Sequence, residues 1–183
     1  MSDTTSNSPH SGSLADVAAG RWTLDPAGTT VRIQHKTFWG LVNVKGVFTE
    51  VSGDGEVLAG GSAHGSVTID AASVDTKNAK RDTHLRSADF FDVDKHPSLV
   101  FTATDVTPVG NGTARVTGDL TVIGVSRALS FTAEASEVSA DAVTLTAEIP
   151  VDRKEFGMTW NQASMLKPLT FVTITARFTR RSS

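Results

Sequence analysis

Residues 81–97 read RDTHLRSADFFDVDKHP and crowd two arginines, four aspartates and two histidines around a Phe-Phe pair. Side chains of these types could ligate a metal, run an acid–base relay, or pair into a structural network. Metal ligation needs donors that converge at short, regular spacing. His84 and His96 lie twelve positions apart, and the chain contains no H-x-x-x-H or H-E-x-x-H. Nucleophilic catalysis needs a nucleophile, a base and a group that orients the base. Serines and histidines are available, but a G-x-S-x-G elbow is not, and there is no cysteine. The residues therefore argue for no catalytic group, no metal site, no cofactor and no enzyme.

The same stretch reads well as a short helical insertion. Residues 78–88, NAKRDTHLRSA, form a helix with Asn78 as its N-cap. Arg81, His84, Leu85 and Ala88 then share one face, while Asp82 and Arg86 sit at i,i+4 as a favourable pair on another. Arg81, Asp82 and His84, with Arg153, are expected to form a buried polar network that holds the helix down, because buried charges are usually paired. Leu85, Phe90 and Phe91 would close the end of whatever the helix covers, and Pro97 starts the next strand.

What the helix covers is built from strands. Val31, Ile33 and His35 alternate with Arg32, Gln34 and Lys36. The same period of two continues through Val42, Val44, Gly46 and Phe48; Val67 and Ile69; Leu99, Phe101 and Ala103; and Val116, Gly118, Leu120 and Val122. It returns in Leu129, Phe131 and Ala133; Val143, Leu145, Ala147 and Ile149; and Val172, Ile174, Ala176 and Phe178. Such alternation marks half-buried strands. Turn-rich segments separate the runs: SGDG (52–55), AGG (59–61), GNG (110–112), IGVS (123–126) and SADA (139–142). About eight strands with short connections make an all-β antiparallel fold, sandwich or barrel. Many inward residues are small, which leaves volume inside a barrel for a ligand.

The 183 residues suffice for one domain, expected over residues 21–180. Residues 1–20 are rich in Ser, Thr, Asn and Gly, and read as a disordered tail without a signal-peptide core. This implies a cytoplasmic protein, and no run is long and apolar enough for a membrane span. With 17 Lys and Arg against 20 Asp and Glu, the chain has no basic footprint for nucleic acid.

Several blocks occur in an order that resembles the YceI family of polyisoprenoid-binding, lipocalin-like proteins: WTLDP (22–26), V-x-I-x-H (31–35), GVF (46–48), SVDT (73–76), RDTHLRSADFFD (81–92), HP (96–97), GDLTVIGV (118–125) and RKEFGM (153–158). The resemblance implies an extended eight-stranded antiparallel lipocalin-like β-barrel, with the helical insertion capping one end. It also implies a polyisoprenoid, an isoprenoid quinone or a similar long-chain lipid in the tunnel, bound for carriage or storage, and a homodimer. Many relatives are exported, which this chain's first residues do not suggest. Glu155 replaces a frequent aspartate, and SMLKPLTF (164–171) departs from a glycine-and-acid turn.

The residues expected to line the tunnel are Val31, Ile33, Val44, Phe48, Val67, Ile69, Phe101, Leu120, Phe131 and Leu145, with Phe156 and Met158 from the RKEFGM block. Phe38, Trp39 and Trp160 would rim the mouth or plug it. His35 would serve as a satisfied core group or a polar contact within the tunnel. Two readings compete with lipid carriage: an enzyme acting on a hydrophobic substrate, and a structural barrel for protein contacts whose interior is filled by side chains.

Overall fold

A computed structural model describes residues 12–37, 40–110, 112–161 and 164–182. Eleven strands lie in one antiparallel sheet: β1 (Gly20–Leu24), β2 (Thr30–Thr37), β3 (Val42–Phe48), β4 (Val51–Val57), β5 (Ala63–Asp70), β6 (Val74–Asp75), β7 (Ser98–Gly110), β8 (Thr113–Val122), β9 (Val125–Val138), β10 (Ala142–Asp152) and β11 (Leu169–Arg180). The ring β1-β4-β5-β7-β8-β9-β10-β11 closes through the pairing of β1 with β11. At the other end of β11, β2 takes the place of β1, with Thr170 opposite His35 and Thr175 opposite Thr30. β3 in turn takes the place of β4 beside β2. β1 with β2, and β3 with β4, are thus two halves of single walls, and the architecture is an eight-stranded barrel.

The break between β1 and β2 is held from outside the barrel. The Arg177 guanidinium reaches Asp25 Oδ2 and Glu137 Oε2, both at 2.8 Å, while the Arg177 amide donates to Thr29 Oγ1. The two carboxylates keep the guanidinium charged by raising its pKa, and Glu137 contributes first. The barrel is long because its later strands are long. The fourteen residues of β9 span about 45 Å at ~3.3 Å per residue, or about 35 Å along the axis at the usual barrel tilt.

Two sequence expectations change here. The SGDG segment, read as a turn, lies inside β4, where Gly53 pairs with Val67 and Gly55 with Gly65. A Cβ on Gly53 would come within 2.6 Å of the Ser66 carbonyl oxygen, so glycine marks close strand approach there and not a turn. The tail boundary also moves. Ser13 caps a 3-10 turn at Leu14–Asp16, Trp22 Nε1 donates to Ala18 O, and Arg180 donates to Ala19 O. Residues 12–19 therefore meet the barrel, and Gly20 already opens β1. Residues 1–11 lie outside the described residues.

The insertion forms α1 (Ala79–Arg86), capped by Asn78 through the Arg81 amide and ended at Ser87, so Ala88 falls beyond it. Its place is beside β6, which pairs with β3. Among the described residues, no helix is long and apolar enough to cross a membrane.

Candidate functional site

The inward parity read from the sequence opens onto a cavity of about 330 Å3 at the α1 end of the barrel. That volume is in the range of small-molecule sites, ~300–1,000 Å3. Val31, Ile33, His35, Val44, Phe48, Val67, Ile69, Arg81, His84, Leu85, Phe90, Phe91, Phe101, Leu120, Phe131, Phe156, Met158 and Trp160 all border it. Leu145 does not. It lies in a second chamber of about 160 Å3, with Trp22, Val116, Ala147 and Ala176. Phe38 and Trp39, expected at the mouth, lie outside the described residues.

Val67, Phe101, Phe131 and Ile174 border both chambers and form a waist between them. The Phe101 and Phe131 rings meet at 5.6 Å and 46°. Both phenylalanines stand on inward positions, Phe101 of β7 and Phe131 of β9, with β8 between them, so the waist follows from period two plus the stagger of these three strands.

Sequence reasoning left several lining residues out of the expected set. Leu99, Val122, Leu129, Ile149, Val172 and Ile174 carry the inward parity already visible in the sequence. Thr37 and Thr170 extend the parity of His35 and Val172 by one step and are equally legible on that rule. Thr76, Arg153 and Leu166 reach the cavity from outside the regular strand pattern, and no periodic signal announces them.

The covering helix is latched by two connections, and neither is the expected network. Asp82 is buried and accepts from the Thr76 amide at 3.0 Å and from the Thr76 hydroxyl. Arg81 donates to Thr76 Oγ1 at 2.8 Å and to Thr76 O at 2.9 Å. Arg86, expected to pair with Asp82, instead donates to the carbonyls of Ala72 and Val74. The i,i+4 rule describes an isolated helix, and here the segment 72–76 beside α1 offers both side chains other partners. Gly46 permits that approach, since a Cβ there would lie 2.8 Å from Thr76 Cγ2.

The aromatic groups beneath the helix interlock. His84 Nε2 lies 2.8 Å from Asp89 Oδ2, and the ring stands edge-on to Phe90 at 5.1 Å and to Trp160 at 4.5 Å. Phe91 packs edge-to-face on Phe48 at 5.7 Å. Trp160 is therefore packed under the covering loop, in contact with His84 and Phe90, which lies 5.3 Å away. Arg153 does not join α1. Its Nη1 donates to the carbonyls of Met158 and Trp160, and Nε to Lys167 O, so it braces the segment that carries Trp160.

A polar corner interrupts the apolar lining. His35 Nδ1 lies 2.8 Å from Thr170 Oγ1 on the neighbouring strand. Burial lowers the His35 pKa, and the nearby Arg153 charge lowers it further. A histidine whose folded pKa is depressed contributes its full stability above the unfolded value, about 6.5. That contribution declines as pH falls below this value toward the lower folded pKa. The expected result is that unfolding free energy declines from pH 7 to pH 5 in the wild type and less steeply in His35→Gln. Urea denaturation across that window measures both slopes, and equal slopes would refute it.

Residues 22–179 match the family model described as the YceI-like domain. A UPF0312 protein of Ectopseudomonas mendocina is 51% identical over 69 residues, which is 38% of this chain and 36% of that protein's length. The solved structure of Burkholderia cenocepacia BcnA superimposes with a TM-score of 0.76 at 20% identity, covering 84% of this chain and 98% of the other. A structure described as a polyisoprenoid binding domain from Saccharophagus degradans gives a TM-score of 0.71 at 17% identity, covering 87% and 98%. At these identities the two structural likenesses concern the fold.

Proposed function

The chain belongs to the family of YceI-like domains, and from that membership we propose that it binds a polyisoprenoid, an isoprenoid quinone or a similar long-chain lipid in the barrel, for carriage or storage. The observation that carries this reading is the pair of apolar chambers inside the barrel, which share Val67, Phe101, Phe131 and Ile174 as lining. The polyisoprenoid-binding domain with the same fold supports the choice of lipid. An interior that holds these chambers also counts against a barrel filled by its own side chains. The family likeness supports a homodimer as the working form.

Burial alone is a sufficient driving force. At ~0.8 kcal/mol per buried CH2-sized group, a five-carbon unit gains at most about 4 kcal/mol. Association and ordering cost about 4–15 kcal/mol. A few such units therefore reach micromolar affinity, near −8 kcal/mol. Tunnel length and the polar corner then set selectivity.

Native mass spectrometry of freshly purified protein, followed by organic extraction, tests the reading. The expected result is a bound mass that extraction removes and that fragments as a long-chain lipid. Protein that arrives empty and also takes up no added polyprenol would refute it.

A further inference from the structure

Three buried polar atoms that lack a hydrogen-bond partner among the described residues belong to side chains bordering the same chamber: His35 Nε2, Thr37 Oγ1 and Arg153 Nη2. Buried polar groups are nearly always satisfied in native proteins, so three orphans around one cavity ask for a common partner. The topology puts them at one level of the barrel. Thr170 stands opposite His35, Thr37 is two residues further along the same side of β2, and the Arg153 amide donates to Pro168 O, two residues before Thr170.

All three orphans can act as donors. With the Thr170 hydroxyl donating to His35 Nδ1, the imidazole proton resides on Nε2. Arg153 is only 6% exposed and has no carboxylate within ion-pair distance among the described residues. Its Nη1 and Nε are spent on backbone carbonyls, which leaves Nη2. A neutral headgroup would satisfy the donors and leave the guanidinium with no ion-pair partner, only the more distant charge of Asp152, which is costly at this burial. An anionic oxygen satisfies both demands.

We propose that Arg153, His35 and Thr37 form a seat for the anionic headgroup of the bound lipid, a phosphate or a carboxylate, with its chain running past Phe101 and Phe131 into the second chamber. The proposal rests on the tunnel being a lipid site. It assigns the ligand a direction, head at the α1 end and tail at the far end, and a charge.

Calorimetric titration with geranylgeranyl monophosphate, geranylgeraniol and inorganic phosphate tests it. The wild type is expected to bind the phosphate at least about tenfold more tightly than the alcohol, the scale of one charge-assisted hydrogen bond. That ratio is expected to fall close to one in Arg153→Met. Should that variant fail to fold, the double variant Thr37→Val, His35→Gln leaves the Arg153 bracing intact, and its ratio is expected to fall about threefold or more. Equal affinities in the wild type, or an unchanged ratio in the folded double variant, would overturn the seat. So would inorganic phosphate that binds as tightly as the prenyl phosphate and leaves geranylgeraniol binding untouched, since the corner would then hold a free anion. Binding of neither prenyl compound would instead remove the lipid reading of the tunnel, and the seat with it.

Discussion

Phe101→Asp is expected to cut the tunnel in two. Phe101 borders both chambers and meets Phe131 at 5.6 Å, so a carboxylate there stands where a chain must pass from one chamber to the other. An unpaired charge in such surroundings is strongly disfavoured, and a chain threaded past it would seal it from water. Geraniol, short enough for the lid-end chamber, should still bind. Geranylgeraniol should lose the gain from carbon beyond the waist. Losing one five-carbon unit's burial, at most about 4 kcal/mol, predicts an affinity weaker by up to about a thousandfold. Phe101→Ala is the control. It opens the waist and should keep the longer chain, at a stability cost below the ~3–5 kcal/mol of a fully buried phenylalanine, because one side of the ring already faces a cavity. Calorimetric titration of the two prenols against both variants, with melting temperatures alongside, decides the matter. A folded Phe101→Asp protein that binds geranylgeraniol at wild-type strength would mean that the chain does not pass the waist.

Replacing Phe90 and Phe91 together by alanine is expected to speed ligand release by about tenfold or more, because related binders differ mainly in off-rate. Phe91 closes on Phe48, and Phe90 closes on His84 and Trp160, so the pair supplies the apolar underside of the covering segment. The barrel should survive, since the closed ring of strands contains neither residue. Each ring is only partly buried, which keeps the stability loss below ~3–5 kcal/mol per residue. Asp82→Ala should act in the same direction by a separate route. It strands the buried Thr76 amide, at a cost of about 1–3 kcal/mol, and frees α1 from β6. Stopped-flow release of a fluorescent polyprenyl analogue measures all three proteins. Wild-type release from the folded double variant would show that this segment does not gate the tunnel. Mass spectrometry of the same mixtures, repeated with His84→Ala, would expose chemistry instead: an altered lipid whose formation needs His84 would make the insertion an active site.

Much of the barrel interior was readable along the chain. Phe101, Leu120, Phe131 and Ile174 were placed on inward faces by period two alone, because successive side chains of any strand point to opposite sides. Asn78 announced the start of α1, since capping is a local interaction between a side chain and the first turn. Leu99 and Val172 carried the same parity and needed only the same rule.

Other features depend on which strands meet and at what stagger, and no local period encodes that. The SGDG segment has turn composition, and only the pairing of β4 with β5 shows that its glycines serve close contact. Asp82 had a legible partner four residues away, yet the fold brings Thr76 to it and sends Arg86 to two carbonyls of the preceding segment. Leu145 obeyed its parity and still falls in the farther chamber, because parity selects a face while strand tilt selects the level along the axis. The corner of His35, Thr37 and Arg153 draws on two distant segments, with β11 between them. Alternation and capping along the chain therefore set which side chains point inward and where the covering helix begins. Which inward side chains share a level follows from strand pairing, because closing the barrel sets the stagger of all its strands together.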